Sequence, residues 1–157
     1  MVIKRKRNDV PDQVIKKLYL GSLAAANNHT ILYRLGITHV LTVCPIRPSK
    51  VPNVTYYLVS ISDDPTVNIL SKLDECFEFI NAAINNGGKV LVHCFQGVSR
   101  SATVVIAYLM KFHNMRYSDA FEHVRHTREI IDPNFGFRRQ LEEFEGMVFS
   151  DKIAAAV

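Results

Sequence analysis

Lys89-Val90-Leu91-Val92-His93-Cys94-Phe95-Gln96-Gly97-Val98-Ser99-Arg100-Ser101-Ala102-Thr103-Val104-Val105-Ile106-Ala107-Tyr108-Leu109-Met110 is the stretch on which the fold turns. Its first five residues are a short apolar run of strand length, and from Ser101 a helix-compatible apolar run continues to about His113. Only the seven residues Cys94 to Arg100 separate the two. A buried strand passing so directly into a helix is the unit of an α/β sheet, and the loop then leaves the carboxyl end of the strand, where such sheets place ligands.

The flanking chain repeats the alternation. Upstream, Leu18-Tyr19-Leu20-Gly21 reads as the first strand, followed by a polar and alanine-rich helical stretch through Leu35 that Gly36 terminates. Thr38 to Val43 is a β-branched strand, and Tyr56 to Ile61 is a second apolar run; both are expected to be buried. From Asn68, the residues Ile69, Leu73, Cys76, Phe77, Ile80 and Ile84 recur at helical spacing up to Gly87-Gly88, which makes Cys76 a core residue. Downstream, Ser118 is expected to cap a helix through about Thr127, and Pro133-Asn134 to open another reaching about Phe149. The expected class is α/β: a central, mostly parallel sheet flanked by helices, with an anion-binding loop between a central strand and a helix N-terminus.

Composition narrows the class further. A chain of 157 residues and 17.8 kDa, 48% hydrophobic and 22% charged, fits one domain with a real core. Apolar runs such as Ala102 to Met110 fall short of the roughly 18 residues of a membrane span, and the first residues are charged, so a soluble intracellular protein is expected. The net charge of +4 has a local origin: Lys4-Arg5-Lys6-Arg7 holds four of the 19 basic residues, which leaves 15 against 15 acidic ones. A neutral body argues against a nucleic-acid partner; the run itself suits a solvated tail, a docking arm or a nuclear-import signal, so a cytoplasmic location is expected, with the nucleus as the alternative. Cys44, Cys76 and Cys94 are three in number without close pairs, which fits neither a disulfide framework nor a zinc site.

The loop itself carries the chemistry. Curled at a helix N-terminus, residues Phe95, Gln96, Gly97, Val98 and Ser99 can point successive backbone N–H groups inward, and with the helix dipole they make an anion cradle suited to phosphate. Gly97 supplies backbone freedom, and the planar guanidinium of Arg100 can clamp two phosphoryl oxygens. In the same field Cys94 is placed to be a thiolate, because a free thiol near pKa 8.5 falls to roughly 3.5–7.5 beside helix N-termini or cations. The simpler alternative, a small buried cysteine between strand and helix, would hold for a lone cysteine but not for this constellation.

The string His93-Cys94-Phe95-Gln96-Gly97-Val98-Ser99-Arg100-Ser101 resembles the H-C-x5-R-[ST] signature of the cysteine-dependent protein tyrosine phosphatase superfamily. Its G-x-S-R-S form is similar to that of the dual-specificity protein phosphatases. Tyr19-Leu20-Gly21-Ser22, the VLVHC strand, the VVIAYLM helix and the DPNFGFRRQL segment from Asp132 resemble that family in order and spacing. The resemblance implies a basic tail at 1–11, a catalytic domain at 12–149 and a C-terminal tail at 150–157.

It also implies roles. Cys94 would form a phosphocysteine, Arg100 and the loop amides would hold the phosphoryl oxygens, and Ser101 would stabilise the departing thiolate, although it could equally cap the helix. His93 would tune the cysteine through its hydrogen bonding, with a satisfied core histidine as the alternative. The general acid is expected five residues before Asn68, at Asp63, with Asp64 as runner-up. Asn134 matches a position near the pocket, and a helix-start role explains it equally. Cys44 matches a second cysteine that in some relatives forms a disulfide with the nucleophile; a buried strand-end residue is the competing reading.

The implied activity is hydrolysis of phosphotyrosine and phosphoserine or phosphothreonine in proteins, without metal or organic cofactor. Phosphorylated proteins are the expected partners. Protein kinases are a further candidate through Lys16-Lys17-Leu18-Tyr19-Leu20, although burial of those leucines in a strand accounts for the pattern. Two alternatives stand beside this reading: a noncatalytic phosphoprotein-binding module, which would lack the nucleophile, and a phosphatase of a non-protein ester, which would favour lysine in the loop.

Overall fold

A computed structural model describes residues 7–157; Lys4-Arg5-Lys6, most of the basic run, lie outside the described residues. Five strands form one sheet in the order β1 (Asp12–Ile15), β2 (Leu18–Gly21), β5 (Val90–His93), β3 (His39–Thr42) and β4 (Thr55–Leu58). β2, β5, β3 and β4 run parallel, and β1 is antiparallel at one edge. This is the expected α/β class, with β5 at the centre and buried throughout its length. The register aligns Gly21, His93 and Thr42 across three strands, so the loop leaving β5 emerges between the carboxyl ends of β2 and β3.

Alternating side chains send the sheet into two cores. Leu18, Leu20, Leu41, Val90 and Val92 face one cluster, which receives α3 (Leu73–Asn85), α4 (Arg100–Phe112), α5 (Tyr117–Thr127) and α6 (Phe135–Ala155). Tyr19, Val40 and Leu91 face the other, under α1 (Leu23–Ala26) and α2 (His29–Leu35). Every residue of α4 from Ser101 to Met110 is buried, because α5 and α6 cover the sides that the sheet and α3 leave open. No helix among the described residues is long and apolar enough to cross a membrane.

Several local expectations need correction. The sheet begins one strand earlier than Leu18: β1 pairs with β2 through a tight turn in which Lys17 takes a left-handed φ of 69°. The stretch through Leu35 is two helices, broken where the Asn28 side chain accepts from the Ile31 amide and starts α2 afresh. β4 is half-exposed rather than buried, since it is the other sheet edge. Ser118 does not cap α5; the helix starts at Tyr117, and its first amide donates to the Glu145 carboxylate of α6 at 2.5 Å. α6 does open at Asn134, whose side chain accepts from Phe137, but it continues past Phe149 to Ala155.

Candidate active site

Cys94 follows β5 directly and is only 2% exposed, at the floor of a cleft of about 240 Å³ lined by Asp63, Cys94, Phe95, Gln96, Val98, Ser99 and Arg100. A larger concavity along α5, near Arg125 and Asp132, has no cysteine, serine or threonine in its lining. Size therefore does not choose the site; chemistry does.

The loop is held from behind by its carbonyls. Phe95 O accepts from the Leu23 amide at 2.9 Å, Val98 O from the Asp132 amide at 2.7 Å, and Gln96 O and Gly97 O from the Arg128 guanidinium at 2.9 Å each. In a trans peptide the carbonyl and the following N–H point opposite ways, so the amides of Gln96, Gly97, Val98 and Ser99 face the cleft. Four aligned donors above a helix N-terminus form an anion cradle. Gly97 makes the curl feasible: its φ is 68°, and a Cβ there would stand 2.5 Å from Gly21 O.

Side chains complete the electrostatics. Arg100 is the first residue of α4 and lines the cleft; its Nη1 donates to Ile61 O at 3.1 Å. Its Nε is buried without a partner among the described residues, a donor costly to leave unmade. Cys94 Sγ and Ser101 Oγ lie 3.0 Å apart within hydrogen-bonding reach. His93 is fully buried; its Nδ1 meets Cys94 O at 2.9 Å and its Nε2 meets Thr42 Oγ1 at 2.8 Å. A carbonyl can only accept, so Nδ1 carries the proton and Nε2 accepts from the threonine hydroxyl. Burial pushes the His93 pKa down to about 4, which the bond to Cys94 O only partly opposes.

The two neighbouring aspartates face different partners. Asp63 Oδ1 accepts from Asn134 Nδ2 at 2.9 Å and lines the cleft. Asp64 instead accepts from the Thr66 amide at 2.8 Å and the Thr66 hydroxyl at 2.7 Å, and these bonds hold its carboxyl below the usual range. Asn134 joins the two halves of the cleft, since its backbone N–H also donates to Ser99 Oγ at 2.9 Å. The start of α6 can come this close because residue 136 is glycine: a Cβ there would overlap the Pro65 carbonyl.

A family model of the dual specificity phosphatase catalytic domain matches residues 18–147. The chain belongs to that family. It is 44% identical over 154 residues to Dual specificity protein phosphatase 1 of Arabidopsis thaliana, covering 96% of this chain and 78% of the relative. The crystal structure of human DUSP28 superposes with a TM-score of 0.83 at 35% identity, over 87% of this chain and 93% of that one. A mouse putative dual specificity phosphatase, crystallised with zinc tungstate, gives a TM-score of 0.89 at 31% identity over 98% and 96%. This dual-specificity phosphatase is a hydrolase acting on phosphorylated proteins.

The expected site residues of this phosphatase fall into one cluster, and Cys44 lies within electrostatic reach of Cys94 and Arg100. Cys44 is buried two residues beyond β3, its Sγ 3.4 Å from Ile46 O, and all three cysteines are free thiols; burial pushes Cys44 up. Leu18 and Leu20 are fully buried in β2, which accounts for the hydrophobic half of the basic-hydrophobic pattern there. Sequence reasoning missed Arg128 and Asp12. A single arginine at the end of a polar helix reads as a solvated charge, and no spacing rule links it to residues 116 positions away.

Proposed function

We propose that the chain hydrolyses phosphotyrosine and phosphoserine or phosphothreonine in proteins through a covalent phosphocysteine on Cys94. The single observation that carries this reading is the placement of Cys94 Sγ beneath inward-facing loop amides, in one cleft with Arg100 and Asp63. In the first step the thiolate attacks phosphorus, the ester P–O bond breaks, and Asp63 gives its proton to the departing oxygen. Charge on the three non-bridging oxygens is met by the loop amides and the Arg100 guanidinium. In the second step water attacks phosphorus, the Asp63 carboxylate takes its proton, and the S–P bond breaks to release phosphate. Ser101 Oγ, 3.0 Å from Sγ, donates to the thiolate as it leaves.

Asp63 is the acid in this scheme because Asp64 is committed to Thr66. Tungstate, the anion named with the mouse relative, is an oxyanion of the kind such a cradle takes. Cys94→Ser tests the reading: it is expected to abolish turnover of phosphopeptides while inorganic tungstate still binds. Retained turnover overturns the mechanism, and loss of turnover together with loss of oxyanion binding overturns the site.

A further inference from the structure

Arg128 lies behind the loop, on the side away from the cleft, and is 4% exposed. All its hydrogen-bonding nitrogens are engaged: Nε with Gly97 O at 2.9 Å, Nη2 with Gln96 O at 2.9 Å and Asn8 Oδ1 at 2.8 Å, and Nη1 with Asp12 Oδ2 at 3.1 Å. Asp12, on edge strand β1, is itself only 6% exposed. The guanidinium thus reads two consecutive carbonyls with one rigid fork and is fixed from the opposite side by a carboxylate.

We propose that Arg128, held by Asp12, is a positioning residue for phosphate binding: it fixes the orientation of the two peptide units whose N–H groups, on Gly97 and Val98, face the anion. This rests on the reading of Cys94 to Arg100 as the phosphate site. The physical reason is the coupling within each peptide. If a unit rotates, the cradle loses a donor and gains a carbonyl oxygen that repels the anion. Charge-assisted bonds to both carbonyls oppose that rotation. Lysine, a compact point charge on a flexible stem, cannot hold two adjacent carbonyls and Asp12 in one plane. A buried pair serving stability alone would leave anion affinity unchanged in any variant that folds.

The test measures binding of inorganic tungstate by calorimetry in the Cys94→Ser background, which removes turnover from the readout. Adding Arg128→Lys is expected to weaken tungstate by about tenfold or more, the effect of losing one to two charge-assisted bonds. Asp12→Ala is expected to weaken it about threefold by freeing the guanidinium, an indirect effect on the order of the weakest ordinary hydrogen bonds. Asp12→Asn, which keeps an oxygen for Nη1, restores the affinity. Ile80→Ala, a core truncation in α3 remote from the loop, lowers the melting temperature and leaves tungstate affinity unchanged.

Folded Arg128→Lys that binds tungstate like its parent overturns the proposal. Should that variant fail to fold, unchanged affinity in Asp12→Ala overturns it instead. Equal weakening in Ile80→Ala also does so, by showing that affinity merely follows stability. Failure of Cys94→Ser itself to bind tungstate is a different result, because it removes the phosphate site on which the proposal rests.

Discussion

Acidification from pH 7 toward 4 is expected to destabilise the fold chiefly through His93, with His39, whose pKa burial also lowers, adding a part shared by wild type and variant. The imidazole is fully buried, with both ring nitrogens engaged, and its pKa falls from the free value of 6.5 to about 4. Unfolded chains take up a proton near 6.5, whereas the folded protein resists until about 4, so the unfolded state holds more protons throughout that window. Stability therefore falls as pH falls, by about 1.4 kcal/mol per pH unit and on the order of 3 kcal/mol in all. Below pH 4 this loss levels off. Urea unfolding at half-unit steps between pH 7 and pH 4, on wild type and on His93→Asn, isolates the effect. The asparagine amide can still donate to Cys94 O but does not titrate. Its own packing cost shifts the whole curve, so the slopes carry the answer. The hydrogen-bonded carboxyls of Asp9 and Asp64, held below 3.8, act at lower pH and are shared by both proteins. Parallel curves through the window would refute the assignment of a neutral, proton-resisting His93.

Three further outcomes are expected. Asp63→Asn lowers turnover of phosphoserine peptides by roughly 10²–10⁴, the range of general acid catalysis, and affects activated aryl phosphates far less, while Asp64→Asn leaves both near wild type; steady-state kinetics on the two substrate types check this, and a loss confined to Asp64→Asn reverses the choice. Ser101→Ala slows phosphocysteine breakdown on the order of tenfold, the worth of one hydrogen bond to a charged group, and makes a pre-steady-state burst of leaving group visible; unchanged kcat without a burst sinks the role. Gly136→Ala drives a Cβ into the Pro65 carbonyl, costing about 1–3 kcal/mol by overpacking, and thermal melting reads it. The same variant displaces the loop that carries Asp63, so alkyl phosphate turnover falls with it; an unchanged melting temperature refutes the contact.

What the sequence disclosed follows from how locally each feature is encoded. The segment from Val90 to Met110 is contiguous, so strand, loop and helix are written side by side, and so is the cluster of Cys94, Arg100 and Ser101. Gly36 and Asn134 end and begin helices by their own backbone and side-chain chemistry, which a reader of residues can recognise. Counting back from Asn68 already put Asp63 ahead of Asp64, but their different partners, Asn134 and Thr66, were not legible, since adjacent carboxylates differ by their partners and not by their type. β1 escaped because four residues with two polar members and a register irregularity carry little periodicity. Ser118 has cap chemistry, but Glu145, distant in sequence, supplies the partner one residue earlier. Arg128 and Asp12 depend wholly on tertiary proximity: burial turns an ordinary charge pair into a costly one to break, and no local pattern records burial of that kind.

The central position of β5 and the complete burial of α4 from Ser101 to Met110 give the two halves of the cleft unequal lifetimes. The cradle hangs between the most protected strand and the most protected helix, so opening it requires something close to global unfolding. Asp63 sits on the exposed stretch of a loop anchored on either side by Arg100 at Ile61 and Gln140 at Val67; its own ties, Asn134 and the Pro65 approach to α6, can be lost in a local, low-energy fluctuation. Mild denaturant would then populate a species that still captures oxyanions yet turns over only esters whose leaving groups need no proton.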